Sequence, residues 1–205
     1  MARTLTSTRS LSPASGDAEL AVRKAAMADV PHLLRLINGY AARGIMLPRT
    51  EFEISENLRD FSVIHSGDRV AGCAALHFYT PTMGEIRSLA VDAAFQGSGA
   101  GRKLMEALED EAQTFGLEAV FAFTYIPEFF AKLGFVEIER GELPLKAWKD
   151  CLRCPKFQCC DEIAVIKQLE TEHPRVDHTL LRGSPNLPDV MPGGTVLLPS
   201  LRKSH

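Results

Sequence analysis

The sequence predicts an α/β fold, a mixed twisted sheet flanked by helices, with disordered tails at both ends. Three observations predict it. Apolar strand-like runs alternate with segments whose apolar residues recur at helical spacing. The run Leu89-Ala90-Val91 enters a glycine-rich turn, Gln96 to Gly101, that opens a helix. Residues 1–18 and 172–205 are rich in Ser, Thr, Pro, Gly and charge and show no periodicity. The expected organisation is therefore a tail over 1–18, one domain over 19–171 and a second tail over 172–205.

Each element follows from its residues. Glu19 to Lys24 reads as a first strand. Asp29 and Pro31 open a helix whose apolar face is Leu33, Leu34, Ile37 and Tyr40, and Gly44 ends it. Ile45 to Arg49 is a connector. Thr50-Glu51-Phe52-Glu53 is a capping box that starts a second helix, ending near Asp60. Ser62–His65 and Arg69–Tyr79 flank Ser66-Gly67-Asp68 as a hairpin. Pro81 and Gly84 bound a turn before the strand that carries Glu85. From about Gly101 to Phe115 the apolar residues Leu104, Met105, Leu108, Ala112 and Phe115 mark a helix, stopped by Gly116. Ala119–Thr124 is a strand and Pro127–Leu133 a short helix. Phe135–Ile138 is a strand, Pro144–Lys149 a helix and Glu162–Leu169 a final strand.

Composition narrows the function classes. A chain of 205 residues with 45% hydrophobic residues can bury a full core. The net charge of −3 argues against a general nucleic-acid binder. No apolar run reaches the ~20 residues of a membrane span, and no signal-type apolar segment starts the chain. Four of the five cysteines crowd into 151–160, unlike a secreted disulfide framework, so a reducing cytoplasm is expected.

The glycine turn fits neither of two common phosphate loops. A dinucleotide fingerprint counted from Gly97 meets Arg102 where its last glycine belongs, and no Gly-Lys-Ser/Thr follows. The pattern present is Gln-x-x-Gly-x-Gly, from Gln96 to Gly101, and it resembles the acyl-CoA loop of the GNAT superfamily of N-acetyltransferases. Thr124 to Phe135, ending in Gly134-Phe135, resembles the same superfamily. Three further features resemble the acetyltransferase domain of N-acetylglutamate synthases. They are the connector with Leu47 and Arg49, the strand Ala71 to Leu76, and Gly84-Glu85 leading into Leu89-Ala90-Val91. The likeness runs from about Ala21 to Leu169, and corresponds to a short, stand-alone form without an amino-acid-kinase-like domain.

The resemblance implies transfer of an acetyl group from acetyl-CoA to the α-amino group of L-glutamate, the first acetylation of arginine biosynthesis. An ammonium cannot attack a thioester, so a base is needed. Glu85, eleven residues before Gln96, matches the catalytic glutamate of several members. The backbone N–H near Leu89 is expected to stabilise the thioester oxygen. Leu89, Ala90 and Val91 are expected to line the cofactor, Val91 pairing with its pantetheine amides. Gln96, Gly97, Ser98, Gly99, Ala100, Gly101 and Arg102 are expected to hold the pyrophosphate.

Many members protonate the leaving thiolate with a tyrosine five residues before the Gly-Phe phenylalanine; here that residue is Phe130. Tyr125, Thr124 or water is the replacement. The two carboxylates of glutamate call for cations, and Arg49, Arg87 and Lys156 are the candidates. His77 lies on a strand beside this site, with a structural role as the plainer reading. Zinc at Cys151, Cys154, Cys159 and Cys160 is argued against by the irregular spacing, and no metal is assigned. The expected partners are a small-molecule acceptor and a second copy of the chain in a homodimer, with neither nucleic acid nor membrane. Three rivals stand beside this reading: a GNAT enzyme acting on another small amine or amino acid, a non-catalytic acyl-CoA sensor, and a zinc-dependent interaction module.

Overall fold

The computed structural model describes residues 19–143, 152, 154 and 156–170. The expected tails over 1–18 and 172–205, the expected helix over 144–149 and Cys151 lie outside the described residues. In chain order the elements are β1 (Leu20–Lys24), α1 (Val30–Ala41), α2 (Glu51–Glu56), β2 (Phe61–Ser66), β3 (Arg69–Thr80), β4 (Met83–Val91), α3 (Ala100–Thr114), β5 (Ala119–Thr124), α4 (Pro127–Ala131), β6 (Val136–Ile138) and β7 (Ile163–Gln168). The seven strands form one sheet in the order β1-β2-β3-β4-β5-β7-β6. Every pairing is antiparallel except β4 with β5. Among the described residues no helix is long and apolar enough to cross a membrane.

Local chemistry sets the ends of these elements. At α2 the capping box forms as the sequence predicts: Thr50 Oγ1 accepts from the Glu53 N–H at 3.2 Å, and Glu53 Oε2 accepts from the Thr50 N–H at 2.8 Å. The helix is shorter than expected, giving way to a 3₁₀ turn over Leu58–Asp60. Asp29 does not cap α1 with its side chain. Its carboxylate instead accepts from the Ala26 N–H and from Arg23. Gly84 belongs to β4 and not to the preceding turn. A Cβ there would meet the Cδ1 atoms of Leu76 and Leu117 at 2.9 Å, so any side chain would push both leucine tips aside. Phe115, expected on the buried stripe of α3, is exposed, because the helix ends at Thr114. Its ring packs edge-on against Phe78.

Helices cover both faces of the sheet. On one face, Leu104, Met105, Leu108 and Ala112 of α3 and Phe130 of α4 pack with Ile64, Ala74, Leu76, Ile86 and Val120. On the other, Leu33 and Ile37 of α1 and Ile54 of α2 pack with Phe61, Val63, Cys73, Ala75 and Ala90. Each fully buried Leu or Ile contributes roughly 1.5–3 kcal/mol. The two layers thereby hold the central strands β3 and β4 firmly in place.

Candidate active site

The parallel ladder between β4 and β5 is short. It joins Met83 to Ala119, Gly84 to Val120 and Glu85 to Phe121, and stops there. Strand β4 continues to Val91 and β5 to Thr124 with no further pairing between them. Two parallel strands that part company leave an edge of β4 that no neighbouring strand satisfies, and another extended chain can pair with such an edge. Along this stretch β4 is also bulged. Cys73 pairs with Ala90 and Ala75 with Arg87, so Ala74 alone stands opposite both Ser88 and Leu89. Ser88 takes a φ of 55°, in the left-handed region. The bulge reorients the backbone at Leu89, the residue the sequence assigned to the oxyanion.

At the end of β4 the chain enters the glycine turn. Asp92 Oδ1 accepts from the Ala94 N–H, and Ser98 Oγ donates to the Phe95 carbonyl at 2.6 Å. Gly97 and Gly99 have φ of 79° and 86°, and Gly99 is the N-cap of α3. Among the described residues the N–H groups of Gly97, Gly99, Ala100, Gly101 and Arg102 find no acceptor. Five such donors at the positive end of a 15-residue helix are suited to an anionic group. Gln96, at the start of the turn, reaches back to α1. Its Nε2 donates to the hydroxyl of Tyr40 at 2.9 Å, and that hydroxyl donates to the Val91 carbonyl at 2.7 Å. Tyr40 thus ties the turn to the strand before it.

Glu85 is 1% exposed. A buried carboxylate is costly unless it is put to use or well satisfied. Its cross-strand neighbours are His77 on β3 and Phe121 on β5. Arg87, two residues on, shares its face of β4. Arg87 Nη2 lies 3.6 Å from Asp60 Oδ2, and the same oxygen is 2.6 Å from His77 Nδ1. Asp60, His77, Glu85 and Arg87 therefore gather as one polar group on the α1/α2 side of the sheet. Arg49 lies in the connector, its backbone held against α1. Asn38 of α1 clasps its backbone, with Nδ2 donating to the Arg49 carbonyl at 2.9 Å and Oδ1 accepting from the Arg49 N–H at 2.8 Å.

Tyr125 and Lys156 meet each other. The Tyr125 hydroxyl donates to Asp161 Oδ1 at 2.8 Å and accepts from Lys156 Nζ at 2.9 Å. Burial raises the phenol above its usual range, with Asp161 adding to the effect and Lys156 opposing it. The phenol and Asp161 in turn raise the Lys156 ammonium, and the phenol and Lys156 lower Asp161. Phe130 is in the core against Phe129 and Phe135. Cys154, Cys159 and Cys160 are free thiols, and among the described residues no three His, Cys, Asp or Glu side chains gather into a metal-holding group.

Tyr40, Asn38, Asp60 and the bulge at Ser88 are the features that sequence reasoning missed. Tyr40 was assigned to an apolar stripe and Asp60 to a helix end. Only the pairing of distant strands shows what their polar atoms reach.

Residues 35–135 match the acetyltransferase (GNAT) family. An uncharacterized N-acetyltransferase of Chlorobaculum tepidum is 44% identical over 152 residues, covering 74% of this chain and 98% of that protein. An amino-acid acetyltransferase of Mycobacterium tuberculosis is 38% identical over 140 residues, covering 67% of this chain and 80% of that protein. Among solved structures, an N-acetylglutamate synthase from Neisseria gonorrhoeae, complexed with coenzyme A and N-acetyl-glutamate, aligns with a TM-score of 0.68 and 29% identity. That alignment covers 76% of this chain and 36% of the synthase.

Proposed function

The chain belongs to the GNAT acetyltransferase family, and we propose that it moves the acetyl group of acetyl-CoA to the α-amino group of L-glutamate. One observation carries the reading. The strand that loses its neighbour beyond Glu85 holds a buried carboxylate at one end and delivers five acceptorless amides at the other. The amino-acid acetyltransferase relative and the synthase bound to N-acetyl-glutamate support glutamate as the acceptor.

The residues fit the co-substrate. The amides of Gly97 and of Gly99 to Arg102 hold the pyrophosphate, and the unpaired edge of β4 from Leu89 to Val91 lines the pantetheine arm. Bound acetyl-CoA supplies an activated acetyl thioester. Glu85 takes the proton of the acceptor ammonium, which makes the amine nucleophilic. Leu89, turned by the bulge, offers its N–H to the negative charge that develops on the thioester oxygen. Arg87 and Arg49 hold the acceptor carboxylates. Tyr125 protonates the departing thiolate, and Lys156 steadies the phenolate that results.

Direct transfer is favoured over an acyl-cysteine. Cys73, the cysteine nearest the bulge, is fully buried, and burial pushes its thiol up to about 12. It stays protonated and is a poor nucleophile.

The test is free-thiol release from acetyl-CoA across a panel of amino acids and polyamines. Glutamate should give the highest kcat/KM. Faster release with another amine would move the acceptor elsewhere, and binding of acetyl-CoA with no release on any amine would make the chain a sensor.

A further inference from the structure

A base that is 1% exposed cannot return its proton to water by itself. Each turnover loads Glu85 with one proton, and the next requires that proton to be gone. The groups around Glu85 suggest where it goes. On the β5 side its neighbour is Phe121, which carries no proton. On the β3 side its directly paired neighbour is His77, and side chains paired across antiparallel strands have Cβ atoms ~4.5–5.5 Å apart. Imidazole is the side chain suited to passing protons near neutral pH.

His77 is also prepared for that task. Its Nδ1 is 2.6 Å from Asp60 Oδ2. An ionised carboxylate only accepts, so Nδ1 carries the hydrogen, and Nε2 is the nitrogen able to take up another. The carboxylate fixes the tautomer and stabilises the imidazolium once formed, as an aspartate does for the histidine of a catalytic triad. Exposure rises along the series: Glu85 is buried, the His77 side chain is 16% exposed and that of Asp60 26%. Arg87 lies 3.6 Å from the same Asp60 oxygen.

We propose that His77, held by Asp60, is the proton exit of Glu85. This rests on Glu85 acting as the base in the reading above. The ammonium proton passes to the Glu85 carboxylate and from there to Nε2 of neutral His77. The imidazolium then gives one proton to water, and both side chains return to their starting states. No bond other than those to the proton changes.

The experiment uses the full chain with acetyl-CoA and its best acceptor. His77→Ala should lower kcat on the order of 10²-fold while both KM values stay within about twofold. Added imidazole should restore much of that loss in His77→Ala and do nothing for the wild type. A kcat within about twofold of wild type, or a loss that imidazole does not relieve in a folded variant that binds acetyl-CoA, would overturn the proposal. If His77→Ala does not fold, Asp60→Asn decides. It should lower kcat roughly tenfold and enlarge the solvent deuterium isotope effect on kcat, and an unchanged kcat and isotope effect would reject the relay. Absence of turnover by the wild type on every amine would remove the acetyltransfer reading itself, a result distinct from either of these.

Discussion

The hydroxyl of Tyr40 donates to the backbone carbonyl of Val91 at 2.7 Å, joining the last residues of α1 to the last residue of β4. Because Gln96 donates to the same hydroxyl, one phenol fixes the strand edge and the start of the glycine turn relative to each other. Tyr40→Phe keeps the ring and removes both bonds. Each is worth about 1 kcal/mol net, so the KM for acetyl-CoA should rise on the order of tenfold, with little change in acceptor KM. A larger effect on the acceptor would place Tyr40 in the other half of the site.

Glu85→Gln keeps the shape of the side chain and removes the base. Turnover should drop by ~10²–10⁴-fold, while acetyl-CoA binding, followed by calorimetry, is retained. Wild-type kcat in this variant would remove Glu85 from the mechanism.

At Gly99 the φ of 86° is the whole constraint, since a Cβ there has nothing within 4 Å. Gly99→Ala should cost about 1–2 kcal/mol of backbone strain and weaken acetyl-CoA binding as the turn relaxes. Ser98→Ala, next door, loses only the bond to the Phe95 carbonyl and serves as the control. Equal affinities for the two variants would mean that the turn does not hold the cofactor.

Arg87→Ala and Arg49→Ala should each raise the glutamate KM ~10–100-fold, the value of a charge-assisted hydrogen bond, and leave the acetyl-CoA KM nearly unchanged. If Arg49→Ala disturbs the acetyl-CoA KM more than the glutamate KM, the connector serves the cofactor.

Acid should destabilise the fold in two stages. His65 Nε2 is buried and, among the described residues, has no hydrogen-bond partner; burial, followed by the charge of Arg23, lowers its pKa from 6.5. Between the lowered folded value and 6.5 the unfolded chain binds more protons, so stability falls as pH drops below about 6.5. Asp29, hydrogen-bonded by Arg23 at 2.7 Å, has its pKa lowered from 3.8. Its contribution is complete above that value and is lost as pH falls through the folded one. Urea midpoints measured from pH 7.5 down to pH 3 should fall in both windows. His65→Gln should flatten the first, and Asp29→Asn the second, at a cost of roughly 2 kcal/mol near neutral pH. Parallel curves for wild type and His65→Gln would exclude His65.

Much of this arrangement is legible in the chain. The glycine turn, the capping box at Thr50 and the stripe from Leu104 to Ala112 are local patterns, and local patterns can be read without knowing the fold. Glu85 is singled out by a spacing to Gln96 that matches the catalytic glutamate of several GNAT enzymes. The features that escaped are those made by chain segments far apart in sequence. Asp60 and His77 are 17 residues apart, and nothing in either segment announces the other. Tyr40 sits at the correct spacing for an apolar stripe, and its hydroxyl acquires a purpose only when Val91, 51 residues later, arrives beneath it. The bulge at Ser88 is set by register between two strands, which no single-strand pattern records. Phe115 differs for another reason: it stands one residue past the helix end at Thr114, as the C-cap just before Gly116 with its φ of 74°.

The extra residue in β4 also shifts the odd-even alternation of its side chains by one. Before Ser88, Glu85 and Arg87 point to the layer of α1 and α2. After it, Ala90 takes that side, packing with Cys73 and Ala75, while Leu89 and Val91 turn to the layer of α3. Deletion of Ser88 would leave a regular strand with Glu85, Arg87, Leu89 and Ala90 on their present faces, and would take away the left-handed residue that turns the backbone at Leu89. What one extra residue changes is therefore the course of the backbone and not the face of any other side chain.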